Sequence, residues 1–269
     1  MNRNCLQILA CPRCRSTMVL DGDKTKTEPV VYGALSCSGC GTRFPVENGV
    51  VRFIETCALC ESDRRHERFR RLFYARFYDA ITRLEFAFCG GEVNARRECL
   101  DRLCLRPGAR VLETGIGTGS NIPYIADRLG DGCYFGIDIS PSMLRGCVKK
   151  LKRWRSPAQV FLAKAESLPF KDGVFDVVFH LGSINIFEEK KKAIEEMIRV
   201  ARPGTKIVIA DETEKADRLR DKFIVPLLRG KRDRVFPPVD LVPGTMTGVR
   251  LDTIWNGYGY RIEFRTPSA

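Results

Sequence analysis

Three glycines alternate with other residues directly after a short apolar segment, at Gly115, Gly117 and Gly119. The apolar segment is typical of a buried strand, and residues 120–129 are typical of a helix. Glycine lacks a Cβ and tolerates positive φ, so such a turn lets a ligand lie against bare backbone. Unpaired N–H groups at the start of the following helix would add hydrogen-bond donors. The pattern favours a ligand-binding turn, with a plain strand-to-helix connection as the alternative.

A second predicted strand, residues 133–138, ends in Asp138. A carboxylate at that place suits the two hydroxyls of a ribose, as in nucleoside-binding βαβ units. The turn reads Glu-x-Gly-x-Gly-x-Gly from Glu113, which differs in spacing from the dinucleotide fingerprint. The unit therefore predicts a site for a nucleoside-containing cofactor.

Two Cys-x-x-Cys pairs near the N-terminus, 22 residues apart, have the spacing of a zinc ribbon. Four thiolates from two such pairs can surround Zn²⁺ as a closed tetrahedron. The predicted ligands are Cys11, Cys14, Cys37 and Cys40. Strand-like segments occur at residues 18–20, 30–32, 43–46 and 50–54. The sequence thus predicts a β-rich ribbon over residues 1–56 that needs structural zinc to fold, with disulfides or a metal cluster as alternatives.

Length and composition indicate a globular chain in a reducing compartment. The chain has 269 residues, 44% of them hydrophobic, with 12 cysteines. No apolar run reaches the roughly 18 residues of a membrane span, and no signal peptide is recognisable, so we expect a cytoplasmic protein without a transmembrane segment. A third pair, Cys57 and Cys60, lacks two further well-spaced ligands, and its role stays open.

The net charge of +12 is concentrated in residues 64–76, 145–155 and 215–234. Such stretches are typical of solvated helix faces. They would also suit an RNA, an anionic lipid surface or an acidic substrate.

Strand-like and helix-like segments alternate from residue 110 onward, which is typical of a mostly parallel sheet covered by helices. Predicted strands occupy residues 110–113, 133–138, 159–163, 174–180, 206–211, 248–253 and 259–265. Predicted helices occupy residues 94–105, 121–129, 142–154, 189–201 and 214–228. Asn256-Gly257 predicts that the last two strands form an antiparallel hairpin. We expect an α/β fold, a Rossmann-like sheet of seven strands with helices on both faces, over residues 91–269. A linker and an amphipathic cap helix would fill residues 57–90.

Five sequence blocks resemble those of class I S-adenosylmethionine-dependent methyltransferases, in the branch that includes the ubiquinone/menaquinone C-methyltransferases. The blocks are residues 111–119, 136–144, 164–170, 175–178 and 196–204. The resemblance implies the cofactor S-adenosylmethionine. The N-terminal module separately resembles small zinc ribbons that are fused to, or act as partners of, some methyltransferases.

The resemblance also implies roles for individual residues. Glu113, Gly115 and Gly117, with Gly119 in the same turn, would flank the methionine part of the cofactor. Asp138 would hold both ribose hydroxyls, while Ile139 and Met143 would pack near the adenine. Ala165 and Glu166 would lie at the adenine edge. Tyr78 and Asp79 resemble a Tyr-Asp pair on the helix that covers the cofactor. One position departs from the family, because Lys164 stands where an acidic residue usually accepts a hydrogen bond from the adenine amino group.

Polar residues after the fourth and fifth predicted strands could act on the methyl acceptor, because ligands of open α/β sheets bind outside the carboxyl ends of strands. The predicted catalytic or orienting groups are His180, Asn185 and Asp211. For His180, a packed residue at a strand end is an equal alternative.

Three functions compete at this point. The branch resemblance and the aromatic cap favour a methyltransferase acting on a small or lipid-like acceptor such as a quinone. The ribbon and the positive charge favour a methyltransferase that modifies RNA or protein. Lys164 keeps a third alternative open, a non-catalytic scaffold that only binds the cofactor.

Overall fold

The computed structural model describes residues 1–21, 29–54, 75–216, 218 and 236–268. Cys57, Cys60, the start of the predicted cap helix and most of the predicted helix 214–228 lie outside these residues. The strands are β1 Met18–Leu20, β2 Gly33–Cys37, β3 Arg43–Glu47, β4 Val50–Arg52, β5 Arg110–Thr114, β6 Cys133–Asp138, β7 Gln159–Leu162, β8 Phe175–Leu181, β9 Ala201–Glu212, β10 Thr247–Ile254 and β11 Gly259–Arg265. The helices are α1 Ala75–Ala87, α2 Glu92–Leu100, α3 Ile122–Leu129, α4 Pro141–Trp154 and α5 Lys190–Val200. Short 3-10 helices occupy Arg3–Gln7, Ala165–Ser167, Ile184–Ile186, Pro238–Leu241 and Trp255–Gly257.

Seven strands form the predicted Rossmann-like sheet, in the order β7-β6-β5-β8-β9-β11-β10. The first five are parallel, and β11 runs antiparallel to both neighbours. The predicted hairpin of β10 and β11 is therefore confirmed. The carboxyl ends of β5 and β6 meet at one edge, where the glycine turn and Asp138 lie.

Helix α4 shows how local sequence sets an element of this sheet. Ser140 caps its first turn by accepting a hydrogen bond from the Met143 amide at 3.2 Å, and Pro141 suits the first helical position. Its buried face includes Met143 and Leu144, and Arg155 ends the helix with a left-handed backbone. This cap fixes the direction in which the helix leaves Asp138.

The ribbon adds four strands to the same sheet, so that one continuous sheet of 11 strands results. Strands β1 to β4 form an antiparallel meander. Strand β4 then pairs in parallel with β7, where Val51 lies opposite Phe161. The predicted strand at residues 30–32 is wrong, because β2 begins at Gly33. This register buries Leu35 completely between β1 and β3.

An aromatic chain connects the ribbon with the centre of the larger sheet. Phe53 contacts Phe44 and Phe161, with ring centroids 5.0 Å and 6.2 Å apart. Phe161 contacts Phe170 at 5.6 Å, and Phe170 contacts Phe175 at 4.9 Å. One apolar core therefore runs from the ribbon into the α/β domain. None of the helices in the described part of the chain is long and apolar enough to cross a bilayer.

Candidate cofactor site and metal centre

The glycine turn after β5 has the backbone that its sequence predicts. Gly115, Gly117 and Gly119 have φ values of +73°, +56° and +76°. A Cβ at Gly115 would lie 2.9 Å from Cε1 of His180, and one at Gly119 would lie 2.8 Å from Sγ of Cys147. These two positions therefore exclude any side chain, and the turn presents bare backbone.

Asp138 closes the turn from the end of β6. Its Oδ2 accepts a hydrogen bond from the Gly117 amide at 2.8 Å, and its Oδ1 accepts one from the Ser140 amide at 2.8 Å. The side chain of Met143 lies beneath Gly117, because a Cβ there would be 3.3 Å from Cε of Met143. Ile139 is half-buried beside Asp138. Since each carboxylate oxygen can accept more than one hydrogen bond, Asp138 keeps capacity for a diol.

Glu113 lies on β5 beneath the turn, wholly inside the protein. It accepts hydrogen bonds from Nδ2 of Asn121 at 2.5 Å and from the Tyr134 hydroxyl. Arg96 of α2 donates to Oδ1 of Asn121 at 2.5 Å. Burial raises the pKa of Glu113 to about 7, against the lowering effect of Tyr134 and Asn121. Glu113 therefore anchors the base of the turn, and its predicted contact with the cofactor stays a prediction.

The predicted adenine edge lies after β7, in the 3-10 helix Ala165–Ser167. Ala165 is buried, while Lys164 and Glu166 are half-buried. Nζ of Lys164 lies 4.0 Å from Oε2 of Glu188. The lysine that departs from the family pattern thus lies within ion-pair distance of a carboxylate from the segment after β8.

Helix α1 is held over the glycine turn by Asp79. The Asp79 carboxylate accepts hydrogen bonds from Thr118 at 2.7 Å and Ser120 at 3.1 Å, and it lies 2.6 Å from Nζ of Lys150. Burial opposes ionisation here, but Lys150 and the two hydroxyls lower the pKa of Asp79 overall. Sequence reasoning missed Lys150, because nothing marks it among the many lysines and arginines of α4.

The three predicted catalytic residues lie at two separate places in the fold. His180 is completely buried behind the turn, with Nδ1 3.1 Å from the Thr114 hydroxyl. Its Nε2 has no hydrogen-bond partner among the described residues. Burial lowers the pKa of His180 to about 4, although hydrogen bonds at Thr114 and Gly182 oppose that effect. The imidazole is therefore neutral at physiological pH.

Asn185 and Asp211 lie together at the carboxyl ends of β8 and β9. Asp211 accepts hydrogen bonds from the amides of Ser183 at 3.0 Å and Asn185 at 2.7 Å. Asn185 also donates to the Glu212 carbonyl at 2.8 Å and accepts from the Tyr260 hydroxyl at 2.7 Å. Burial, followed by the charge of Glu212, raises the pKa of Asp211 to about 7. The pair holds the segment after β8 in place, and a catalytic role for these residues stays a prediction.

The buried neutral His180 leads to a pH-dependent stability. As the pH falls below 6.5, His180 becomes protonated in the unfolded chain. In the folded chain it stays neutral until the pH reaches about 4. The wild type should therefore lose about 3 kcal/mol of stability from this group over that interval. We expect His180→Asn to be less stable than the wild type at pH 7.5. The difference in free energy of unfolding between the two should become steadily smaller towards pH 4.5. Denaturant unfolding at several pH values measures this, with His66→Gln as control. A deficit that does not change with pH would contradict the assignment.

The four predicted zinc ligands converge at the edge of the ribbon. All their sulfur atoms lie within 4.8 Å of one another, with Cys14–Cys37 at 3.3 Å and Cys11–Cys40 at 3.7 Å. Sulfurs around a tetrahedral zinc ion with bonds of about 2.3 Å would be roughly 3.8 Å apart. The amides of Gly39 and Cys40 point at Sγ of Cys37, each at 3.4 Å. The four thiolates fit a structural zinc ion.

Two family models match separate parts of the chain. One described as "Methyltransferase domain" matches residues 111–204, and one described as "Trm112p-like protein" matches residues 3–49. The two matches coincide with the part of the sheet that carries the glycine turn and with the ribbon.

Curated relatives match this chain over stretches of 101 to 134 residues. Demethylmenaquinone methyltransferase of Beutenbergia cavernae is 36% identical over 117 residues, which are 43% of this chain and 46% of the relative. The demethylmenaquinone methyltransferase of Thermus thermophilus is 30% identical over 134 residues, 50% of this chain and 60% of the relative. Norajmaline N-methyltransferase of Rauvolfia serpentina is 36% identical over 101 residues, 37% of this chain and 34% of the relative. The chain spans about half the length of the curated relatives it matches.

Solved structures agree on the fold. A complex containing the Haloferax volcanii Trm112 methyltransferase activator matches with a TM-score of 0.54 and 16% identity, over 71% of this chain and 96% of that chain. Phosphoethanolamine N-methyltransferase 2 of Haemonchus contortus matches with a TM-score of 0.58 and 13% identity, over 84% of this chain and 63% of that chain. The chain therefore carries a class I S-adenosylmethionine-dependent methyltransferase domain joined to an N-terminal zinc ribbon of the Trm112p-like kind.

Proposed function

We propose that the chain transfers the methyl group of S-adenosylmethionine to a small or lipid-like acceptor such as a quinone. The contact of Asp138 with the amide of Gly117 is the observation that carries the cofactor part of the proposal, because it joins a diol acceptor to bare backbone. The names of the demethylmenaquinone methyltransferase relatives support the quinone-like acceptor.

The chain's own residues would bind and orient the two reactants. Bound S-adenosylmethionine supplies an electrophilic methyl group on a sulfonium. Asp138 would hold the ribose, and Ala165 and Glu166 would border the adenine. Asp79 and Lys150 would keep α1 over the pocket and exclude water. Asp211 would hold the segment that contains Asn185 at the acceptor side, so that the acceptor meets the methyl group in line. Such positioning supplies much of the rate of a two-body reaction.

We also infer that the ribbon supports the methyltransferase domain from within the same chain. The pairing of β4 with β7 and the shared aromatic core favour this role. The complex between the Haloferax volcanii Trm112 methyltransferase activator and a methyltransferase contains a chain of similar fold. In this chain both parts come from one polypeptide and meet at a fixed ratio.

Transfer of labelled methyl from S-adenosylmethionine tests the proposal. We expect the purified zinc-loaded chain to label a demethylmenaquinone in detergent or vesicles, and Asp138→Ala to reduce labelling by at least about 100-fold, because the ribose loses its acceptor. The product is identified by mass spectrometry. Cofactor binding without transfer to any acceptor would instead support the non-catalytic scaffold.

A macromolecular acceptor is the second candidate. Helix α4 exposes a row of basic side chains, and the ribbon could present a large substrate. The exposed residues are Arg145, Lys149, Lys152 and Arg153, and Arg155 directly after the helix is exposed as well. An RNA acceptor would be bound with an affinity that falls steeply with salt. Labelling of RNA or protein in the same assay, with no labelling of the quinone, would favour this candidate.

A further inference from the structure

The segment around the first Cys-x-x-Cys pair, residues 11–15, forms the first zinc knuckle and lies against the methyltransferase domain. The Ala10 amide donates to the Pro169 carbonyl at 3.1 Å, and the Lys171 amide donates to the Ile8 carbonyl at 2.9 Å. Leu9 forms a bridge with Phe170, and both are completely buried. Residues 8–10, just before Cys11, therefore pack and hydrogen-bond against residues 169–171, which follow the predicted adenine edge.

Arg15 extends this contact from the other side of the knuckle. Its Nη1 donates to the Leu168 carbonyl at 2.7 Å, and its Nη2 donates to Oε1 of Glu196 at 2.8 Å. Oε2 of Glu196 accepts from the Leu168 amide at 2.8 Å, which closes a ring of three residues. Glu196 is buried, and Arg199 donates to both of its oxygens. The guanidinium fork thus contacts the Leu168 carbonyl, which Arg199 also reaches at 3.2 Å, and by way of Glu196 it contacts the Leu168 amide.

A third contact reaches the adenine edge itself. The Ser167 hydroxyl donates to the Pro12 carbonyl at 2.9 Å. Ser167 ends the 3-10 helix that begins at Ala165. Pro12 lies between the two ligands Cys11 and Cys14, and Arg15 directly follows the second ligand. The backbone that zinc would immobilise is therefore the backbone that holds this 3-10 helix in place.

We propose that Arg15 is a positioning residue that couples the zinc site to the adenine side of the cofactor pocket. The inference rests on the proposed function, because it takes Ala165 and Glu166 as the adenine edge. Bound zinc would immobilise the knuckle, and the knuckle orients the Arg15 side chain towards Leu168 and Glu196. The ring of these three residues holds the 3-10 helix in its binding geometry. Coupling between two sites is reciprocal, so zinc and cofactor each raise the affinity for the other.

Calorimetric titration of S-adenosylhomocysteine into the zinc-loaded full chain tests the affinity. We expect Arg15→Ala to weaken binding about 10-fold, within the usual range of coupling between sites. The titration with 5′-methylthioadenosine should weaken by a similar factor, because the loss falls on the adenine side. Arg15→Lys should not rescue either affinity, because one ammonium cannot replace a fork that reaches Leu168 and Glu196 together. Arg13→Ala, in the same knuckle and exposed, is the matched control and should bind like the wild type.

Zinc affinity provides a second measurement, which would not change if Arg15 had only a structural role. In the wild type, saturating S-adenosylhomocysteine should slow zinc transfer to a chromogenic chelator and raise zinc affinity. In Arg15→Ala and Glu196→Gln this linkage should disappear, while one zinc per chain and a cooperative melting transition show that both variants fold. Wild-type linkage that persists unchanged in both variants would overturn the proposal. An unchanged affinity of Arg15→Ala for S-adenosylhomocysteine would also overturn the proposal, if Asp138→Ala in the same titration does not bind this ligand. A wild type that binds no S-adenosylhomocysteine at all would overturn the proposed function as well, which separates the two failures.

Discussion

Replacing Gly117 with arginine is expected to abolish cofactor binding while zinc stays bound. The position has φ +56°, and an added Cβ would lie 3.3 Å from Cε of Met143. An arginine would therefore be strained, would push Met143 away and would place a bulky side chain beside the amide that donates to Asp138. We expect the affinity for S-adenosylmethionine to fall at least about 100-fold, equivalent to about 2.7 kcal/mol. Calorimetry of the variant, together with zinc analysis, measures both parts of the prediction.

The control for this variant is Gly173→Arg. Gly173 has φ +61° and an added Cβ would meet no heavy atom within 4 Å. It therefore carries the same backbone strain away from the pocket and should bind the cofactor normally. Unchanged affinity in Gly117→Arg would contradict the placement of the cofactor at this turn.

Replacing Cys14 with serine is expected to release zinc and to destabilise the whole chain. A serine hydroxyl is a poor zinc ligand compared with a thiolate, so the four-coordinate shell would be lost. Structural zinc contributes on the order of 10 kcal/mol to small ribbons. Because β4 pairs with β7 and Phe53 packs on Phe161, the damage should extend into the larger sheet. A loss of about 3 kcal/mol or more would lower Tm by roughly 6–12 °C.

Cys133→Ser provides the matched control, because Cys133 is an exposed free thiol of β6. It should keep one zinc per chain and the wild-type Tm. Metal analysis measures the zinc content of both variants, and calorimetric melting measures their Tm. Full zinc occupancy in Cys14→Ser would count against the four-thiolate site.

The glycine turn and the cluster of four cysteines could be predicted because their determinants are local. The alternating glycines between Glu113 and Gly119 favour a turn with positive φ, and the structure has positive φ at all three of them. Asp138 ends the next strand, and parallel neighbours bring their carboxyl ends to one edge, so its contact with Gly117 follows from the βαβ pattern. The two Cys-x-x-Cys pairs are likewise short motifs, and they meet as expected.

Partners of individual side chains could not be predicted in the same way. Glu113 pairs with Tyr134 and Asn121 inside the protein, although the family resemblance implies a place beside the cofactor. His180 and Asp211 are both buried at strand ends, but His180 lies behind the turn and Asp211 holds the segment after β8. Burial and hydrogen bonding of a strand-end residue depend on which segments pack above it, and one-dimensional spacing does not contain that information.

By itself, the sequence determined the α/β class, the glycine turn after β5 and the four cysteines that converge in the ribbon. These features follow from backbone conformation, hydrophobic periodicity and metal-ligand spacing within short segments. Only the tertiary structure decided that ribbon and domain share one sheet through β4 and β7, and that Arg15 joins the zinc knuckle to Leu168 and Glu196. The physical reason is that an unpaired strand edge and an exposed guanidinium can each bond to many partners. The chosen partner depends on which distant segments the common core brings into contact.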